Sequence, residues 1–268
     1  MRSRAALGLL AALLLAALPA AARDRGADGR FQRRASSHFV LYQDVDIQQR
    51  SGFRGSLRFE QEVLAALEQA YDRLGTLLSL RPTRPITVMI YDPGVFDRQF
   101  AHIFRFPAAG FYGDSIHVRG DTVVSERLVQ VLHHELVHAA LDSLAPSLVI
   151  PAWFNEGLAQ WFEARSRGKR ALSGGEHRVL QAVSLDGGLF SLQQLSAPSF
   201  AALGPAAARL AYLQSYAFFD TLVRARGEAK LAELTRAYLR TRDLSRAFRS
   251  TYRTELSGLE QQLARELQ

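Results

Sequence analysis

Apolar side chains recur at three- and four-residue steps over residues 57–80, which predicts an amphipathic helix with one buried face. Residues 38–42 and 86–91 are short runs of β-branched and aromatic residues, and each run predicts a strand. Glycines interrupt the apolar residues of segment 110–118, which predicts an irregular strand with a bulge or a close backbone approach. The first half of the chain is therefore expected to contribute a small mixed sheet.

The second half of the chain predicts mainly helices. Ser125 is a suitable N-cap for a helix over residues 126–144, and Pro151 suits the first turn of the helix that follows. Charged and glycine-rich residues at 165–175 predict a loop, whereas residues 189–268 predict helices almost throughout. We expect one α+β domain with a mainly helical C-terminal part.

The N-terminal residues predict an export signal. Arg2 and Arg4 precede an apolar stretch at 5–18, and three alanines at 20–22 offer a cleavage site, so residues 1–22 predict a signal peptide. The apolar stretch is short for a membrane-spanning helix, although an uncleaved anchor is the alternative. We expect a secreted or periplasmic protein with no stable membrane insertion after cleavage.

The composition of the chain excludes several kinds of site and one class of partner. Residues 23–37 are basic and polar and predict a flexible lead-in to a domain over residues 38–268. The chain has no cysteine, which excludes disulfides, thiolate metal ligands and a cysteine-linked lipid anchor. Its formal charge of +7 comes from basic residues scattered through the predicted helices, so binding to nucleic acid is not expected.

The most informative motif is H-E-x-x-H at residues 134–138. On a helix, residues four apart project from the same face, so His134 and His138 can bind one metal ion. Glu135 projects beside them and can reach a water molecule without being a ligand. Glu156, in an N-E-G sequence on the next predicted helix, supplies a third ligand and leaves the open position that catalytic zinc needs. The alternative, a helix with polar surface histidines, leaves the second motif unexplained.

The motifs H-E-x-x-H and N-E-G-x-A resemble those of the gluzincin metallopeptidases, and more closely those of compact bacterial peptidase MA-like proteins. Seventeen residues separate His138 from Glu156, within a residue or two of the gap usual in that clan. The resemblance implies a single zincin domain that holds one Zn²⁺. It also implies that residues 110–118 are the edge strand that pairs with an extended substrate, for which an ordinary edge strand is the alternative.

The resemblance further implies residue roles. Glu135 would act as general base towards a water that zinc activates in peptide-bond hydrolysis. Tyr212 matches the stabilising tyrosine in the Y-x-x-G motif of aminopeptidase N-like enzymes, with serine in the glycine position, and Tyr216 is the alternative. Glu163 matches a glutamate common after N-E-G and is expected to accept a hydrogen bond from a ligand histidine, with Asp142 as the alternative.

One departure from the resemblance bears on specificity. Aminopeptidase N-like enzymes have a G-x-M-E-N motif whose glutamate binds the free amine of the substrate. The corresponding residues 107–111 contain no carboxylate, although Asp114 follows shortly. We therefore expect an endopeptidase that acts on peptide or protein substrates. The alternatives are a non-catalytic zinc protein that binds envelope peptides and a zinc amidase directed at peptidoglycan.

Overall fold

The computed structural model describes residues 31–45, 47 and 55–268. The predicted signal peptide over residues 1–22 and the first part of the predicted lead-in lie outside the described residues. The described chain forms a five-stranded mixed sheet and a larger set of helices, which confirms the α+β class.

The sheet has the strand order β1-β2-β3-β5-β4. Strands β2, β3 and β5 are parallel to one another, and the edge strands β1 and β4 pair with them in the antiparallel sense. The register places Leu41 opposite Val88, and Val88 opposite Ile116. The strands are β1 (Gln32–Ala35), β2 (Phe39–Gln43), β3 (Ile86–Tyr91), β4 (Gly110–Tyr112) and β5 (Ile116–Arg119).

The longer helices lie mostly on one side of this sheet, and the short helix α2 packs against its other face. Within the described part of the chain, no helix is both long enough and apolar enough to cross a membrane. The helices are α1 (Gly55–Leu78), α2 (Pro93–Phe100), α3 (Glu126–Leu144), α4 (Ala152–Ser166), α5 (Gly174–Leu185), α6 (Pro205–Arg226), α7 (Glu228–Thr241), α8 (Leu244–Tyr252) and α9 (Ser257–Glu266).

Helices α4 and α6 meet at the centre of the core, where a glycine permits close contact. A Cβ atom on Gly157 would lie 2.7 Å from the ring of Phe219 and 2.7 Å from the carbonyl oxygen of Ser215. Glycine is therefore required at this crossing, and it brings the helix that carries Glu156 against α6. Large aromatic side chains fill the space around the contact: Trp153, Phe154, Trp161, Phe162, Phe218 and Phe219.

Several sequence predictions are confirmed, and others need correction. The strand over 86–91 and the helix over 126–144 have the predicted bounds, and the Ser125 side chain accepts a hydrogen bond from the backbone N–H of Leu128, as an N-cap should. Segment 110–118 is two strands rather than one, because a turn whose Gly113 N–H donates to the carbonyl of Ser115 reverses the chain.

Two further segments differ from their predicted conformations, and one helix was not predicted. The end of the predicted lead-in is the ordered strand β1, which pairs with β2. Helix α5 was not predicted, yet Ser173 and Glu176 form a reciprocal capping box at its start. Residues 189–204 lie outside α-helix and contain one short 3₁₀ turn, Gln194–Ser196, although we expected helices there.

Candidate metal centre

Helix α3 carries the two histidines on the side that faces the cleft. Its opposite side is anchored in the core through apolar residues such as Leu132 and Leu136, which are fully buried. His134 and His138 follow one another by one turn, and their ring centroids lie 4.9 Å apart at an interplanar angle of 75°. Anchoring one face of the helix therefore presents both imidazoles to the same point.

Helix α4 brings the third predicted ligand to these rings. Oε2 of Glu156 lies 3.1 Å from Nε2 of His134 and 3.5 Å from Nε2 of His138. One ligand atom from each of the three residues lies within 4.8 Å of the other two. Two imidazole nitrogens and one carboxylate oxygen are a donor set that binds Zn²⁺ in catalytic sites, so the residues present fit the predicted metal.

The three side chains also form a tightly coupled electrostatic unit. Burial opposes the charged form of His134, but the hydrogen bonds that the ring donates to Glu156 and Glu163 outweigh burial and raise the pKa of His134 to about 10. Burial alone would raise the pKa of Glu156, yet the charges and hydrogen bonds of the two histidines hold it well below its usual range. Glu156 is therefore a carboxylate, as a metal ligand must be.

Each candidate ligand histidine has a partner at its second ring nitrogen. Nδ1 of His138 donates to Oδ1 of Asn155 at 2.9 Å, and Nδ1 of His134 lies 3.7 Å from Oε2 of Glu163. Such partners fix the orientation of the ring and leave Nε2 for the metal. The structure thus pairs Glu163 with His134, as predicted from the resemblance. Sequence reasoning missed Asn155, although the N-E-G motif itself contains it.

Asp142, the alternative to Glu163 as hydrogen-bond acceptor for a candidate ligand histidine, pairs with a different residue. Its Oδ2 accepts a hydrogen bond of 2.9 Å from the hydroxyl of Tyr112 on strand β4. His133 faces the core next to Phe162, and burial together with the charge of Arg73 lowers the pKa of His133 to about 4. Neither residue joins the candidate ligand set.

Glu135 lies beside the candidate ligands and close to the edge strand β4. Its side chain is buried, and within the described structure Oε2 has no hydrogen-bond partner. Burial is the main cause that raises the pKa of Glu135 above the usual range, although the neighbouring histidines oppose the shift. A Cβ atom on Gly110 would lie 3.3 Å from Oε1 of Glu135 and 2.6 Å from Cγ1 of Val131. A glycine is therefore needed for β4 to lie this close to the carboxylate.

These groups open into one cleft of about 520 Å³. The three candidate ligands, Glu135 and Tyr212 all line it. Tyr212 packs edge-on against Phe106 and Phe200, and burial raises its pKa, with a further contribution from Glu156 and Glu135. The hydroxyl of Tyr212 therefore keeps its proton at neutral pH.

Tyr216, the alternative to Tyr212, is outside the cleft lining. Its side chain is buried, and the Lys169 ammonium lies 4.6 Å from the centre of its ring. The structure therefore brings Tyr212, rather than Tyr216, to the candidate metal centre.

A small mixed sheet, an antiparallel edge strand beside a cleft, and two histidines and a glutamate from successive helices define a zincin-like fold and site. The chain matches the family model of the Peptidase MA superfamily over residues 66–268 and belongs to that superfamily. This family indicates a metallopeptidase-type hydrolase, and its members are typically metal-dependent. No curated protein shows significant similarity to the chain.

Proposed function

We propose that this protein is an exported, zinc-dependent endopeptidase of the gluzincin type. One observation carries the proposal: His134, His138 and Glu156 converge within 4.8 Å at the base of a cleft, and the buried carboxylate of Glu135 lies beside them. A peptidase acts on peptide or protein substrates, and the cleft is large enough for several side chains.

Zinc is the metal that best suits this donor set. The chain has no cysteine, so two neutral imidazoles and one carboxylate are the available combination, and it leaves a position for water and substrate. When bound by these residues, Zn²⁺ would polarise the carbonyl group of the substrate and make water more acidic.

Glu135 performs the proton transfers in this proposal. Its Oε2 accepts a proton from the attacking water as the new C–O bond forms, and it passes that proton to the nitrogen as the C–N bond breaks. Burial raises the pKa of Glu135 above its usual range, and this favours the role because it makes the carboxylate a stronger base than one in water.

Tyr212 is the proposed donor to the oxyanion that develops on the carbonyl oxygen. It lines the cleft and keeps its proton, so its hydroxyl can donate as negative charge builds up. Asn155 and Glu163 contribute indirectly by holding the rings of His138 and His134 in place.

Strand β4 is the proposed binding element for the substrate backbone. In the described sheet it pairs with β5 along one side, and its residues line the cleft on the other. An extended peptide can extend such an edge through backbone hydrogen bonds. The absence of a carboxylate at residues 107–111 supports an endopeptidase rather than an aminopeptidase, and the features of residues 1–22 support export.

A substrate panel tests this function against its alternatives. The zinc-loaded protein without residues 1–22 is incubated with a mixed peptide library and, separately, with soluble muropeptides. Internal cleavage of library peptides is the expected result. Cleavage of muropeptides alone would indicate the amidase instead, and tight peptide binding without cleavage would indicate the non-catalytic binding protein.

A further inference from the structure

We propose that Asp142 binds a cationic group of the substrate, an ammonium or guanidinium, at the end of the cleft formed by Tyr112. This inference rests on the proposed peptidase function and adds a determinant of its specificity. The carboxylate of Asp142 lines the cleft and is exposed to solvent there.

The charges of the cleft favour a positive ligand. Among the described residues that line it, none is lysine or arginine, whereas Glu135, Asp142 and Glu156 are all acidic. Glu135 and Glu156 lie beside the two histidines at the candidate metal centre, and their charges are partly balanced there. Asp142 has no ion pair with any described residue and accepts a hydrogen bond from Tyr112, so its charge is available to a ligand.

A hydrogen bond holds the carboxylate of Asp142 in place and leaves one of its oxygens for a ligand. The hydroxyl of Tyr112 donates to Oδ2 at 2.9 Å, which fixes the carboxylate and leaves Oδ1 for another donor. Tyr112 comes from the edge strand and Asp142 from the metal-binding helix, so the pair joins the two sides of the cleft.

The distance to the candidate metal centre corresponds to a short length of substrate. Asp142 follows His138 by four residues, or about 6 Å along the helix axis. An extended peptide rises about 3.3 Å per residue, so this offset along the helix equals roughly two residues of substrate backbone. Tyr112 is likewise two residues beyond Gly110, which lies next to Glu135.

The wall next to Asp142 suits the apolar stem of a long basic side chain. Leu141 is buried beside it, and Leu148 and Ile150 line the cleft from the loop between α3 and α4. Lysine and arginine place their methylene groups on apolar surface while the charged end reaches a polar partner. For an endopeptidase the cation is such a side chain, and the free α-amine of a peptide is the other source of the same chemistry.

Asp114 provides a matched comparison close to the same strand. It carries the same charge two residues after Tyr112, but its side chain is 86% exposed, lies 3.5 Å from Nε2 of His117, and is outside the cleft lining. An effect of Asp142 that came from the general negative field would therefore appear with Asp114 as well.

The experiment measures peptide binding, so that it does not depend on turnover. Zinc-loaded Glu135→Gln protein is titrated into fluorescent, N-acetylated octapeptides of alanine and leucine that carry lysine, arginine or norleucine at one scanned position. At one position we expect the basic peptides to bind roughly fivefold more tightly than the norleucine peptide, and this preference should weaken at high salt.

Adding Asp142→Asn should abolish the preference, since the amide still accepts the Tyr112 hydrogen bond but carries no charge. Adding Asp114→Asn should leave it intact. Equal binding of all peptides, or a preference that survives Asp142→Asn, would overturn the proposal. If a norleucine peptide with a free amino terminus binds as tightly as the basic peptides, the α-amine is the source of the cation that Asp142 binds.

The outcomes also separate this proposal from the proposed function. A charge preference that depends on Asp142, in a protein whose wild type cleaves no peptide, would refute the peptidase and retain the cation site. Cleavage by the wild type without any charge preference would refute the cation site and retain the peptidase.

Discussion

The carboxylate of Glu163 lies 3.7 Å from Nδ1 of His134, while Nε2 of the same ring faces Glu156 at 3.1 Å. The imidazole is therefore held between two carboxylates, one on the candidate metal side and one behind it. Glu163 is in turn 3.4 Å from the guanidinium of Arg167, the C-cap residue of α4. This arrangement fixes the ring and favours Nε2 as the ligand atom.

Glu163→Gln is expected to weaken zinc binding by about tenfold, because partners of this kind contribute roughly 10- to 100-fold to metal affinity. Competition with a chelating dye measures the affinity. Glu233→Gln, which removes an exposed carboxylate paired with Lys230 on α7, is the control and should bind zinc normally. Unchanged affinity in Glu163→Gln would show that the contact with His134 does not support the metal site.

Tyr212→Phe is expected to lower kcat by about 10²-fold while leaving zinc content and KM close to those of the wild type, because an oxyanion donor acts in the transition state. Steady-state kinetics on a cleaved peptide measures both constants. Tyr216→Phe is the matched control, since Tyr216 lies on the same helix but outside the cleft. Equal kcat in the two variants would remove Tyr212 from the mechanism.

Gly157→Ala is expected to destabilise the fold by about 1–3 kcal/mol, because its methyl group would lie 2.7 Å from the Phe219 ring and the Ser215 carbonyl. Alanine has the higher helix propensity, so a loss of stability shows that the steric effect dominates. Denaturant unfolding measures the free energy. Gly175→Ala, in the open first turn of α5, should be neutral or slightly stabilising. If Gly157→Ala were equally stable, the helices would not be in close contact there.

Zinc affinity is expected to rise with pH. Without metal, the pKa of His134 is raised to about 10, so the ring carries a proton at pH 8 that zinc must displace. Burial opposes the charged form of His138, but Glu156 raises its pKa as well, so zinc binding should release at least one proton. The apparent association constant should then rise at least about tenfold per pH unit between pH 7 and 9. Calorimetry in buffers with different ionisation enthalpies counts the protons. Equal affinity at both ends of this range would contradict the assigned protonation state.

The sequence predicts the candidate ligand set because its geometry is local. Four residues make one helical turn, so His134 and His138 must share a face wherever the helix lies. The position of Glu156 depends on how α4 packs, yet the N-E-G motif contains the glycine that sets that packing against Phe219. The candidate ligand Glu156 and the glycine that permits the close contact of α4 with α6 are therefore adjacent in the sequence.

Other features depend on contacts between distant segments, which a periodic pattern does not show. Residues 189–204 have the apolar content of helices, but some of their carbonyl groups accept hydrogen bonds from distant segments. The carbonyl of Ala197 accepts from the backbone N–H of Ala152, and that of Ala201 accepts from the backbone N–H of Arg105. The pairing of Tyr112 with Asp142 likewise joins a strand to a helix thirty positions away. Helix α5 is different, since the Ser173 and Glu176 capping box was a readable local signal.

The most direct test of the central claim compares wild-type protein with Glu135→Gln. Mass spectrometry measures the zinc bound to each protein, and the same preparations are assayed for peptide cleavage. Both proteins should hold about one zinc ion per chain, because Glu135 is not in the proposed ligand set. The variant should cleave at least about 10³-fold more slowly, since it cannot take a proton from water. Equal cleavage by the two proteins, or none by zinc-loaded wild type, would contradict the account.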